Sequence, residues 1–294
     1  MIGYLFILIT VVLNVSKGGF SKKVSAHLDC TADNINICLV RNLFCVLFSA
    51  MILFATNTSF FVSPSGFAIS AFSGISTTVN YIFWLMALKG DAYMLASTMS
   101  NSSFIIAAIC GIVIFHETPS VMKMIAFVLI VIAVFFMTRY QTKLYKKPNF
   151  KDFVLLFLVF LTAGTNSVSQ KLFTTYASEF PVSVFTFYTF VVSCLLLFVL
   201  RPFFKANKSF KGQTKKVASL LPFVLFMGLA LYGATFFQTE ATKLVDAVIL
   251  YPLSSALSIL GSSVMAWVWF SEKPSKDSIV GAFFVICAMV LSRF

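Results

Sequence analysis

Apolar runs of ~20 residues, the length a helix needs to cross ~30 Å of hydrocarbon, recur along this chain almost from end to end. Nothing else in the sequence constrains the fold as much. Of 294 residues 59% are hydrophobic and 11% charged, with a mean hydropathy of +0.94. A water-soluble domain of this length cannot bury so much apolar surface, so lipid must solvate most of the chain. The first run begins at residue 2, has no basic segment before it, and is followed by Lys17, Lys22 and Lys23. A cleaved signal peptide has the opposite order, so this run is expected to be a permanent helix.

The net charge is +12, but the basic residues gather between the apolar runs, as they do at cytoplasmic membrane flanks. A nucleic-acid partner is therefore not expected. Five of the six cysteines, Cys38, Cys45, Cys110, Cys194 and Cys287, lie inside apolar runs without metal-ligand spacing, and read as small packing residues.

Hydropathy and its breaks predict ten helices near 2–24, 36–56, 66–89, 91–116 and 119–139, then 152–176, 182–201, 217–243, 245–271 and 275–293. The two sets resemble each other. Glu117-Thr118-Pro119-Ser120 is followed 155 residues later by Glu272-Lys273-Pro274-Ser275. At the same offset Asp91-Ala92 matches Asp246-Ala247, and Ser100 and Ser103 match Ser255 and Ser258. These pairs sit at equivalent helix boundaries, which indicates an internal duplication with repeats at 1–140 and 152–294.

An odd number of helices per repeat makes the second copy insert upside down. Loop charge agrees. The basic residues cluster in loop 1–2 (Lys22, Lys23), loop 5–6 (Arg139, Lys143, Lys146, Lys147, Lys151) and loop 7–8 (Arg201, Lys205, Lys208, Lys211, Lys215, Lys216). A basic loop thus precedes helix 2 but follows helix 7, the swap that keeps positive charge on one side. The fold expected is an all-α integral membrane protein of ten transmembrane helices in two inverted five-helix repeats. Loop charge alone puts both termini outside.

Polar groups in a bilayer are costly, so helical faces that carry them are the candidates for function. Stripes run along helix 1 (Asn14, Lys17), helix 3 (Ser73, Ser76, Thr77, Asn80, Trp84), helix 4 (Ser100, Asn101), helix 6 (Thr162, Thr165, Asn166), helix 8 (Tyr232, Thr235, Thr239) and helix 9 (Tyr251, Ser255). Together they suit the wall of a wet central cavity, where secondary transporters bind substrate at a repeat interface. Serine and threonine stripes also serve close helix packing, and that reading takes more of their weight. Asparagine and tyrosine are poorer packing material and fit cavity lining better. Trp84, near a helix end, suits an interfacial anchor equally well.

Charged residues bracket helices 4 and 9. Asp91 and Asp246 read as N-terminal caps. Glu117, Pro119, Glu272 and Pro274 read as structural, with gating as the alternative. Glu240 has Lys243 as its partner. Lys17 and Lys171 reach further into the apolar spans, snorkelling to the interface or contacting a ligand. If they face the cavity, the substrate is anionic or zwitterionic.

The ordered set Ala87-Leu88-Lys89 into Asp91-Ala92, Glu117-Thr118-Pro119, Ala241-Thr242-Lys243, Tyr251-Pro252, Glu272-Lys273-Pro274 and Gly281 resembles the EamA-like ten-helix members of the drug/metabolite transporter superfamily. That resemblance implies alternating access by rocking of two repeats about a central site, commonly for export of metabolites, amino acids or drugs. It also implies cytoplasmic termini, against the loop charge. Ser97 stands where the second half keeps Pro252, so the half-sites are not equivalent. Helix 1 lacks the buried glutamate of the small four-helix cation exporters, which disfavours organic cations as cargo.

The function expected is secondary transport of a small polar metabolite by export or exchange. The substrate-binding candidates are Asn14, Lys17, Asn80, Trp84, Ser100, Asn101, Asn166, Lys171, Tyr232, Tyr251 and Ser255. No cofactor or metal is expected. The partners are a small molecule and the bilayer of a bacterial cytoplasmic membrane, with a homodimer left open. An enzyme is disfavoured, because His27 and His116 lie far apart at helix ends and Lys211-Gly212-Gln213-Thr214-Lys215 lacks phosphate-loop spacing. A channel is disfavoured for want of a charged ring.

Overall fold

The computed structural model describes residues 2–25, 31–88, 99–143, 150–203, 210–270 and 276–291. Ten α-helices and no strand occur among them. The first five are α1 (Ile2–Ser25), α2 (Thr31–Ala55), α3 (Pro64–Leu88), α4 (Phe104–Val113, preceded by helical residues 99–102 and a turn at Ser103) and α5 (Val121–Lys143). The second five are α6 (Phe150–Tyr176), α7 (Val182–Leu200), α8 (Phe210–Ala241), α9 (Ala247–Phe270) and α10 (Lys276–Leu291). Five of them, α1, α2, α6, α7 and α8, contain described stretches long and apolar enough to cross a membrane.

Two boundaries depart from the sequence reading. α2 begins at Thr31 rather than near 36, because Asp33 and Asn36, which look like loop residues, are buried in its first turns. α8 begins at Phe210 rather than near 217, so Lys211, Lys215 and Lys216 are helical residues. At 32 residues and ~1.5 Å per residue, α8 is ~48 Å long and extends well beyond the hydrocarbon.

The broadest helix contacts among the described residues all join the first five helices to the second five: α5 with α10, α1 with α8, α3 with α6, and α2 with α7. They follow a pseudo-two-fold rule. Exchanging the halves maps α1–α8 onto α6–α3 and α2–α8 onto α7–α3, while α2–α7 and α5–α10 map onto themselves. The halves are therefore interlocked rather than side by side. Glycines permit the closest approaches: a methyl on Gly74 of α3 would lie 2.6 Å from the Thr189 carbonyl of α7, and one on Gly164 of α6 would lie 2.6 Å from Ile106 of α4.

The largest buried cluster gathers Ile7, Phe104, Ile130, Leu250, Leu253 and Val285, from α1, α4, α5, α9 and α10. The outer surface carries Phe54, Phe61, Phe135, Leu195, Phe198 and Phe283, each more than half exposed. Such a surface is solvated by lipid, and the bilayer supplies the burial that water would deny.

Candidate functional site

Three groups of polar residues among the described residues hold most of the candidates read from sequence. The first occupies the interface of α3 and α6. Asn80 Nδ2 donates to the Thr162 hydroxyl (3.0 Å) and to the Val159 carbonyl (3.2 Å). Asn166 Oδ1 accepts from Ser73 and Thr77, both at 3.2 Å. Ser76 donates to the Thr162 carbonyl at 2.9 Å and lies 2.6 Å from the Thr165 hydroxyl. The stripes on these helices thus satisfy one another as a polar seam. Trp84, one turn beyond Asn80, packs with Phe83 and Met99 on Leu156 and Val159.

The second group lies at the end of the bundle where α1 begins, with Gly3 against Val245. There α4 meets α5, α6 ends and α8 meets α9, and Glu117 is at the centre. Its Oε1 and Oε2 accept the N–H groups of Ala247 and Val248, at 2.9 and 3.2 Å. Lys171 Nζ lies 2.9 Å from the same Oε1 and donates to the Thr242 carbonyl at 3.2 Å. Both side chains are largely buried, Glu117 at 9% and Lys171 at 15% exposure. Glu117, from the first repeat, is therefore the N-terminal cap of α9 and the counter-ion of α6, and the helix dipole favours its charge. This corrects the reading of Asp246 as the cap, since its carboxylate pairs instead with Lys123 of α5 at 2.6 Å. Nearby, the Tyr251 hydroxyl donates to the Ser167 carbonyl at 2.6 Å, and Glu240 has the expected partner, Lys243, at 3.1 Å. Glu272 and Pro274 lie outside the described residues; Pro119 is half-buried in the α4–α5 connection.

The third group lies where α1, α2, α3, α7 and α8 meet. Lys17 Nζ donates to Asn14 Oδ1 at 2.9 Å. Its electrostatic neighbours are Arg41 and Cys45 of α2. The Arg41 guanidinium lies over the Tyr81 ring of α3, Cζ 4.3 Å from the centroid. Tyr81 and Cys45 share a cluster with Phe190 of α7 and Tyr232 of α8, and Cys45 Sγ donates to the Gly228 carbonyl at 3.3 Å. At ~1.5 Å per residue, Lys17 and Arg41 are ~12 and ~15 Å from the α1–α2 end of their helices, at comparable depth in the bilayer. Neither forms an ion pair among the described residues, and two Arg41 nitrogens lack any hydrogen-bond partner.

Of the candidates read from sequence, Asn14, Lys17 and Tyr232 converge on the third group, Asn80 and Asn166 on the seam, and Lys171 and Tyr251 on the Glu117 group. Ser100, Asn101 and Ser255 are half-buried. Sequence reasoning misses Arg41, Cys45 and Tyr81. With α2 taken to begin near 36, Arg41 falls at a helix entrance. The signal that marks it is a lone arginine ten residues into a 25-residue helix.

Interlocked five-helix halves with long apolar helices and an apolar exterior define a multi-pass membrane protein. The chain is a member of the EamA-like transporter family, whose model matches residues 1–139 and 151–294. A solved crystal structure superposes with a TM-score of 0.80 over 99% of this chain and 96% of its own, at 12% identity, so the likeness is one of fold. No curated protein matches the sequence.

Proposed function

We propose that the chain is a secondary transporter that exports or exchanges a small anionic or zwitterionic metabolite, such as an amino acid, by alternating access across a bacterial cytoplasmic membrane. One observation carries the reading: Lys17 and Arg41 are neighbouring cations in the bilayer interior with no carboxylate paired to either among the described residues. An arginine at a helix centre costs about 3 kcal/mol on insertion scales, and a substrate anion offsets that cost when bound. Organic cations, the alternative cargo, meet only repulsion there. The Glu117–Lys171 pair supports rocking of the repeats, since it joins them at one end of the molecule and must part if that end opens. Glu272, its sequence equivalent, takes the same gating role in the second repeat.

The test is counterflow in proteoliposomes with labelled glutamate, succinate and methylammonium. Saturable uptake of an anion or zwitterion, accelerated by the same compound inside, is expected. Uptake of methylammonium alone would sink the reading, and current without trans-acceleration would make the protein a channel.

A further inference from the structure

Arg41 is 7% exposed, and its plane is set by the Tyr81 ring beneath it. The two nitrogens without a partner are Nε and Nη2. These are not any two of the three. In a guanidinium the Nε–H and one Nη2–H point the same way along one edge, at the spacing of two oxygens on a single carbon or phosphorus. One complete fork is therefore unmet. Beside it stands a second cation, the Lys17 ammonium, spent in part on Asn14. Gly228 brings α8 against this stretch of α2, where an added methyl would sit 3.1 Å from the Arg41 carbonyl. The backbone that carries the fork is thus wedged between helices.

We infer that the free edge of Arg41, with Lys17 beside it, is the seat of the substrate's oxyanion group, a carboxylate or phosphate held side-on through two oxygens. The inference rests on the anionic reading above and sharpens it. Charge alone would accept any anion, whereas a fork selects those with paired oxygens. The Tyr81 ring holds the guanidinium plane.

Thermal stabilisation of the full-length protein in nanodiscs, titrated with succinate, inorganic phosphate and chloride at constant ionic strength, tests it. Succinate or phosphate is expected to stabilise at concentrations at least about tenfold below chloride, and the more effective of the two names the oxyanion. Arg41→Lys keeps the charge and removes the fork, so the midpoint for that ligand should rise at least about tenfold. Equal titration by Arg41→Lys and the wild type would overturn the fork while leaving the anionic reading intact. Chloride matching the oxyanions on the wild type would do the same, and decides the matter should the variant fail to fold. If no anion stabilised the wild type, the anionic reading itself would fall.

Discussion

Lys171 and Glu117 meet at 2.9 Å across the boundary between the repeats, through the same carboxylate oxygen that accepts the Ala247 N–H. A lysine on one helix and the first turn of another are thus tied together by one acid from the opposite half. Two features of different origin depend on a single side chain: an ion pair and a helix cap.

Glu117→Gln keeps the shape and removes the charge, leaving Lys171 largely buried beside a neutral amide. A loss of about 2 kcal/mol is expected, below the ~3–5 kcal/mol of a fully buried broken pair because Lys171 retains some exposure. A double-mutant cycle with Lys171→Met, read by thermal unfolding in nanodiscs, should give a coupling of at least about 1 kcal/mol. Strict additivity would mean that the two residues act independently.

Gly111→Ala should reproduce the Glu117→Gln phenotype without touching a charge. A methyl there would lie 2.8 Å from Glu117 Oε2, so the carboxylate must shift away from the Val248 N–H. The check is that both variants lower the melting temperature and that combining them adds little.

Asn166→Ala leaves the Ser73 and Thr77 hydroxyls without their shared acceptor between α3 and α6. A loss of about 1–3 kcal/mol is expected, since the orphaned donors stay buried. Asn166→Asp, which still accepts both bonds, should recover part of it in the same unfolding measurement.

Lys123→Met removes a second cross-repeat ion pair and serves as the contrast. Lys123 and Asp246 are 32% and 40% exposed, so the change should be no more than about 1 kcal/mol. A loss as large as that of Glu117→Gln would show that distance, and not burial, sets the strength of these pairs.

The helix count, the duplication and the polar stripes are legible in the amino-acid sequence, because membrane-spanning helices follow from local hydropathy and repeats from self-comparison. What those stripes do is not. Asn80 and Thr162 look alike as polar residues at helical spacing, and only the packing of α3 on α6 reveals that they satisfy each other. Arg41 escapes for a related reason. Asp33 and Asn36 read as loop because hydropathy records what a residue prefers; their burial beside neighbouring helices is a tertiary fact. Glu117 reads as a boundary residue, yet its partner, the start of α9, lies 130 positions away in the chain.

The interlocking of the halves has a consequence for how the chain is made. When α1 to α5 leave the ribosome, the helices that will cover them do not yet exist, and the hydroxyl-rich face of α3 has no partner until α6 is threaded in. The nascent first half must wait in the membrane with polar groups facing lipid, water or an insertion factor. A chain truncated after the fifth helix is accordingly expected to be degraded, and to be rescued when the second half is synthesised beside it as a separate polypeptide.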